Sequence, residues 1–387
     1  MLGQIAEITL MNLRNVGSRL GSSSVIVVGI GGVVAVLVAL LALGTGFRSA
    51  LERTGDPHRA VVLRGGSTGE LSSGLTTEDR NIVASLPGVA LASGELFLIA
   101  DLPKRSNQSV ANLVVRGVTP EAFRIRPELT IVEGRNFTPG RGEVIVGRGA
   151  AAEFEGLALG GRIELRDTTW TVVGMFEADG SANESEVWAD LGAVQSAFRF
   201  DGVLTSMRLR VDDPAVIPQL ARQVDDDPRL DLEVHPEVEY YRSQAETLST
   251  LITVFGYAVA GVMAIGAVFA ALNTMYTAVA NRTVEIATLR AIGFGGLPVV
   301  TSVLAESLLL ALAGGLLGAG LAYLVFNGMT VSTLNQASFS QVAFDFAVTP
   351  ELMRLGLVWA LGLGAVGGLF PAVRAARLPI TAALRRG

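Results

Sequence analysis

In these 387 residues, charges fall at a spacing suited to a specific task in one string: Asn273-Thr-Met-Tyr-Thr-Ala-Val-Ala-Asn-Arg282-Thr-Val-Glu285-Ile286-Ala-Thr-Leu-Arg290-Ala-Ile-Gly293-Phe294. It reads as a short polar helix that leaves an uncharged stretch and turns at Gly293, Gly295 and Gly296. Arg282 and Glu285 stand three apart, so on a helix they can pair, for a few tenths of a kcal/mol when exposed. That is too little to explain the segment as a stabilising device. The plain alternative is a charged loop that anchors orientation. The second notable group is Glu306, alone in the apolar run 299–326. An ionisable residue in such a run marks function by default. The structural alternatives are solvation near the headgroups or pairing with a nearby arginine.

Other chemistry is thin, and no catalytic, cofactor-binding or metal-ligating residue is expected. The single lysine, Lys104, lies in LPKRSN, and no GxxxxGK[ST] string occurs, so these residues cannot hydrolyse ATP through a P-loop. The Gly/Ser stretches Arg64–Glu70 and Ser72–Thr77 read as flexible surface loop. There is no cysteine, and the two histidines, His58 and His235, lie far apart. Disulfides and a zinc site are therefore not expected. The acidic run Asp225–Asp227, followed by Pro228, reads as a solvated helix end or turn rather than a calcium loop.

Four apolar stretches must position these residues. A bilayer core of about 30 Å needs about 20 apolar helical residues. Val25–Phe47 (span 25–47) is one candidate, too long for the apolar region of a signal peptide. Leu251–Tyr276, Val299–Phe326 and Leu355–Val373 are the others (spans 251–276, 299–326 and 355–373). The 1+3 layout predicts a membrane α-helical protein with an extracytoplasmic α/β domain, residues 48–246, hung between the first and second spans. An amphipathic segment, 1–24, precedes the first span, and 247–387 carry the last three. Arg14, Arg19, Arg282, Arg290, Arg374, Arg377, Arg385 and Arg386 fall on one side of such a protein, and 327–350 on the other hold no Lys or Arg. Both termini are therefore expected in the cytoplasm. The outer domain carries 21 basic against 31 acidic residues, which disfavours nucleic acid as a partner.

Within that domain the pattern predicts strands at Ala60–Arg64, Leu96–Ala100, Asn112–Gly117, Ser206–Val211 and Leu230–Val234, with helices at Thr76–Leu86 and Pro214–Val224. Met207, Leu209 and Val211 share one face of their strand, and Arg208 and Arg210 the other. Residues 129–198 read as a β-rich insertion with strands at Glu143–Val146, Arg162–Arg166 and Thr169–Phe176. In the spans, Gly314/Gly318 and Gly364/Gly368 have the small-xxx-small spacing that permits close helix approach, within one protomer or between two.

The string after the second span resembles the C-terminal FtsX domain of ABC-transporter permeases of the MacB/FtsX/LolC type, roughly ER-x-x-EIG-x-x-(R/K)A-(I/L/V)G. Arg282, Glu285, Ile286, Arg290, Ala291 and Gly293 match, while Asn281 and Ala287 depart. Glu306 with Gly314, Gly315 and Gly318 resembles the family's third span, and 370–385 its closing PA-x-(R/K)AA-(R/K)-L motif. Glu133–Phe137 and Gly160 through Gly174 resemble the MacB periplasmic core domain. The resemblance implies a permease subunit of the mechanotransmission type in the inner membrane, working as a homo- or heterodimer among membrane lipids. ATP would be bound by a separate ABC ATPase subunit, docked on Arg282, Glu285, Ile286, Arg290 and Gly293. A periplasmic membrane-fusion adaptor and an outer-membrane channel are further partners it suggests. The alternatives are an FtsX-type regulator of cell-wall hydrolases, which usually lacks the 129–198 insertion, and a lipoprotein-releasing permease.

Overall fold

The computed structural model describes residues 20–335, 340–377 and 379. Most of the 1–24 segment, with Arg14 and Arg19, and the tail with Arg385 and Arg386 lie outside the described residues. The chain forms two compact units: residues 46–250 with 330–345, and residues 1–45, 251–329 and 346–387.

Helix α1 (Leu20–Thr54) opens the described chain and runs from the second unit into the first without a break. The α/β unit then builds a ten-stranded sheet. Its strands are β1 (Arg59–Arg64), β3 (Val89–Pro103), β4 (Val110–Val118), β5 (Thr130–Gly134), β6 (Glu143–Gly147), β7 (Arg162–Leu165), β8 (Thr168–Glu177), β9 (Glu186–Asp190), β11 (Ser206–Val211) and β12 (Leu232–Pro236). The short β2 (Leu75–Thr76) and β10 (Val203–Leu204) pair separately. The order is β12-β1-β11-β3-β4-β9-β6-β8-β5, with β7 beside β8. Strands β4 and β9 run parallel, as do β6 and β8, and the other pairs are antiparallel.

The strands of the β-rich segment 129–198 extend this same sheet. Strand β9 pairs with β4 and carries it into the same sheet. Periodicity could not reveal β9: its first four residues are buried, so it shows no alternation. The local signals of α2 (Thr77–Ala84) do hold. Thr76 and Asp79 form a reciprocal capping box, with Thr76 Oγ1 accepting from the Asp79 amide at 3.1 Å and Asp79 Oδ2 accepting from the Thr76 amide at 2.8 Å. The short helices α3 (Glu121–Ile125), α4 (Arg148–Glu153), α5 (Leu191–Phe198) and α6 (Ile217–Asp225) complete the unit's helical cover.

Helix α7 (Glu237–Asn281) begins directly after β12, with no residue between them. Gly55, one residue past α1, lies against its first turn, where a Cβ would come 2.8 Å from Val238 Cα. Residues 327–350 contain a hairpin, β13 (Thr330–Asn335) and β14 (Ser340–Asp345), which packs in the α/β unit. The Ala343 amide donates to Ser185 Oγ at 2.8 Å, and Phe344 meets Phe47 edge-on. Lys104 joins Glu153 at 2.7 Å and donates to Gln341 Oε1 at 3.3 Å.

The other unit holds most of α1 and α7, then α8 (Thr283–Ala291), α9 (Gly296–Phe326) and α10 (Pro350–Ala376). Helices α1, α7, α9 and α10 are long and apolar enough to cross a membrane, by length and composition. Their shared core consists largely of small and β-branched side chains, among them Val34, Val38, Ala311, Ala360 and Ala372.

Candidate functional site

The helical path breaks at Arg282, whose backbone (φ −107°, ψ 12°) belongs neither to α7 nor to α8. The stop after α8 is Gly293, at φ +103°, a left-handed conformation that glycine adopts freely. Between these breaks α8 is nine residues long and has two faces. Ile286 and Ala287 are buried. Val284, Glu285, Thr288 and Ile292 are exposed, with Ile292 68% so.

Arg282 does not pair with Glu285. Its Nη1 donates to Glu306 Oε2 of α9 at 2.9 Å, and both side chains are more than nine-tenths buried. Arg282 is the N-cap of α8, and its guanidinium turns to α9 instead of lying along its own helix. The two residues line a cavity of ≈ 30 Å³ with Met275, Ile286, Ser302 and Val303. That is room for a water. Removing one partner of such a buried pair strands the other charge, at about 3–5 kcal/mol. Of the expected docking residues, Glu285 and Gly293 are exposed and Arg290 is half-buried, whereas Arg282 and Ile286 are buried within the protomer.

The four glycines act within the protomer. A Cβ on Gly314 would meet Val27 O at 2.7 Å, and one on Gly318 would collide with the Gly31 carbonyl, both on α1. Gly364 and Gly368 press on Ala311 and Ser307 of α9. Ser307 Oγ donates to the Gly364 carbonyl at 2.6 Å.

Sequence reasoning missed a second polar cluster, deep in the α/β unit. Arg116 binds Glu186 with two hydrogen bonds (2.7 and 2.8 Å) and reaches Glu70 and Glu95, each at 2.8 Å. Arg126 holds Glu95 in a second fork. Arg208 approaches Glu70 at 3.1 Å and Glu237 at 3.2 Å, and Arg59 lies 2.7 Å from Glu237. At Glu237 both Nε atoms are at ion-pair distance but off hydrogen-bond geometry. Four buried arginines thus face four buried glutamates. Glu70 is 6% exposed, so the Gly/Ser stretch read as a surface loop delivers a core carboxylate. Arg208 is fully buried because its face of β11 is covered by Tyr240 and Tyr241 of α7, not by water. Among the described residues no group of three or more His, Cys, Asp or Glu could hold a metal ion.

Residues 23–227 match the family model of the MacB-like periplasmic core domain, and residues 257–380 that of the FtsX-like permease C-terminal region. A core domain inside a 1+3 set of apolar helices defines the class of ABC-transporter permeases. Within that class, the chain belongs to the MacB-like family, its last third being the FtsX-like permease region. The macrolide export ATP-binding/permease protein MacB of Hyphomonas neptunium is 26% identical over 99% of this chain and 61% of its own length. The pyoverdine export ATP-binding/permease protein PvdT of Pseudomonas fluorescens is 32% identical over 39% of this chain and 22% of its own. The chain spans 57–61% of the length of the first relatives it matches. The crystal structure of the periplasmic region of MacB from Actinobacillus actinomycetemcomitans aligns with 49% of this chain and 93% of its own, at 13% identity and a TM-score of 0.37.

Proposed function

We propose that this chain is the permease subunit of an ABC transporter, driven by an ABC ATPase supplied from outside these 387 residues. The ATPase docks on the exposed face of α8, and its ATP cycle is passed through the spans to the α/β domain, which handles cargo outside the cytoplasm. The observation that carries this reading is the two-faced α8: one face is buried, while the other presents Glu285 beside uncovered Val284 and Ile292. In this reading α8 and both termini are cytoplasmic, because eight arginines flank that side and 327–350 hold none. The chain sits in the inner membrane and works as a dimer of permease subunits. A membrane-fusion adaptor and an outer-membrane channel are the periplasmic partners the family suggests. Similarity to relatives named for macrolide and pyoverdine export supports export of a small organic molecule. The family match runs through 129–198, which speaks against a division-type regulator.

The test is Glu285→Arg in the full chain, reconstituted with a candidate ABC ATPase. The variant inserts in the membrane but loses pull-down of the ATPase and permease-dependent ATP hydrolysis, since reversing a charge at a complementary contact is costly. Wild-type assembly and hydrolysis in Glu285→Arg would remove Glu285 from the contact.

A further inference from the structure

We propose that Arg282 and Glu306 form a latch that makes α8 and α9 move as one piece, so that a push on α8 reaches the third span instead of being absorbed at the break before it. This rests on α8 being the ATPase docking surface.

A nine-residue helix with a non-helical residue before it and a left-handed glycine after it is not oriented by its own backbone. Packing of Ile286 and Ala287 holds one face. The ion pair adds a fixed point. Arg282 sits on the break itself, and Glu306 lies ten residues into α9, beyond the turn that connects the two helices. It is a buried ion pair, whereas the Glu351–Arg354 pair of the same unit is exposed. Its charges cannot part without each being left alone in an apolar surround.

The pair is also not rigid in every direction. Arg282 makes a single hydrogen bond to Glu306, its Nη2 has no partner among the described residues, and both side chains border the ≈ 30 Å³ cavity. Such an arrangement fixes distance and leaves angle adjustable. Arg282 and Glu306 are thus positioning residues, acting through α8 rather than touching the ATPase.

The chain has no cysteine, so two can be introduced for spin labels, Thr288→Cys on α8 and Leu309→Cys on α9. Label-to-label distances are measured by pulsed electron resonance on the full chain in lipid nanodiscs, with no ATPase present. The unmodified pair gives a narrow distribution. Glu306→Gln and Arg282→Gln broaden it, while Arg282→Lys, which keeps the charge should the neutral variants fail to insert, stays narrow. The swap Arg282→Glu/Glu306→Arg narrows it again. A narrow distribution in Glu306→Gln, or a swap as broad as the single neutral variants, overturns the latch, because packing alone would then hold α8. Pull-down of an ABC ATPase by the unlabelled chain is the second arm. Equal capture by wild type and Glu306→Gln is expected, since the outward face of α8 is untouched, and loss of capture in Glu306→Gln alone would make the pair part of the contact and overturn its positioning role. No capture by either removes the docking reading, while the distance measurement still decides whether the latch exists.

Discussion

Glu70 shows how far a single side chain can be from its sequence appearance. It follows a Gly/Ser stretch, yet its carboxylate sits among Arg116, Arg208 and Ser206 in the domain core. Burial pushes its pKa up, but the charges of Arg116 and Arg208 outweigh that and hold it well below the usual carboxylate range. Glu95 is also lowered: burial opposes, and Arg126 and Arg116 prevail. A carboxylate lowered in the folded state contributes stability above its unfolded pKa, near 4.5, and loses it as pH falls through the folded value. Thermal unfolding of the full chain in detergent should therefore be nearly flat from about pH 7 to 5 and drop below about 4.5. Glu70→Gln should lower stability at neutral pH by about 3–5 kcal/mol, by stranding part of the Arg116 and Arg208 charge. It should also flatten the acid limb; a limb as steep as wild type would assign the acid sensitivity elsewhere. None of this was legible in sequence, because alternation placed Arg208 on the second face of β11 but said nothing of what covers that face. Glu306 was partly legible: one acid in an apolar run needs a partner, but the choice of Arg282 depends on the break after α7, which the residue spacing does not record.

At the scale of elements, the apolar runs foretold the four long helices, since length and lack of charge are local properties. Strand β9 and the β13–β14 hairpin were not foretold, since β9 is buried without alternation and the hairpin is a Ser/Thr-rich segment that folds against distant residues such as Ser185 and Lys104. The glycine spacing was legible but its partner was not: Gly314 and Gly318 meet α1 of the same chain. Gly318→Val should thus cost at least about 1–3 kcal/mol, since the helices must part to admit it. Gly320→Val is the control, because a Cβ there meets nothing within 4 Å. Melting temperatures in detergent, read for both variants, check this. Equal behaviour would mean that α1 and α9 are not so closely packed.

For the molecule as a whole, the proposed orientation predicts that a reporter fused after Ala150 is active only in a form that works outside the cytoplasm. Activity of a cytoplasm-only reporter there would invert the proposed topology. The sheet is continuous from β12 to β5, so segments separated by 100 residues or more share one set of hydrogen bonds. The α/β class was readable from the strand and helix pattern, but the single sheet was not, because pairing of β4 with β9 is a long-range event. One consequence concerns backlash, the free play in a mechanical train. Strand β12 ends at Pro236 and α7 starts at Glu237, whose carboxylate is gripped by Arg59 and Arg208 while Gly55 closes on the same turn. A connection of zero length has no slack, so a turn of the first residues of α7 is a twist at the end of an edge strand of the sheet. If the chain is the permease proposed above, two glycines inserted between Pro236 and Glu237 should leave both units folded and the proposed ATPase bound, yet uncouple ATP hydrolysis from the outer domain. If transport survives that insertion, torque does not travel by this joint.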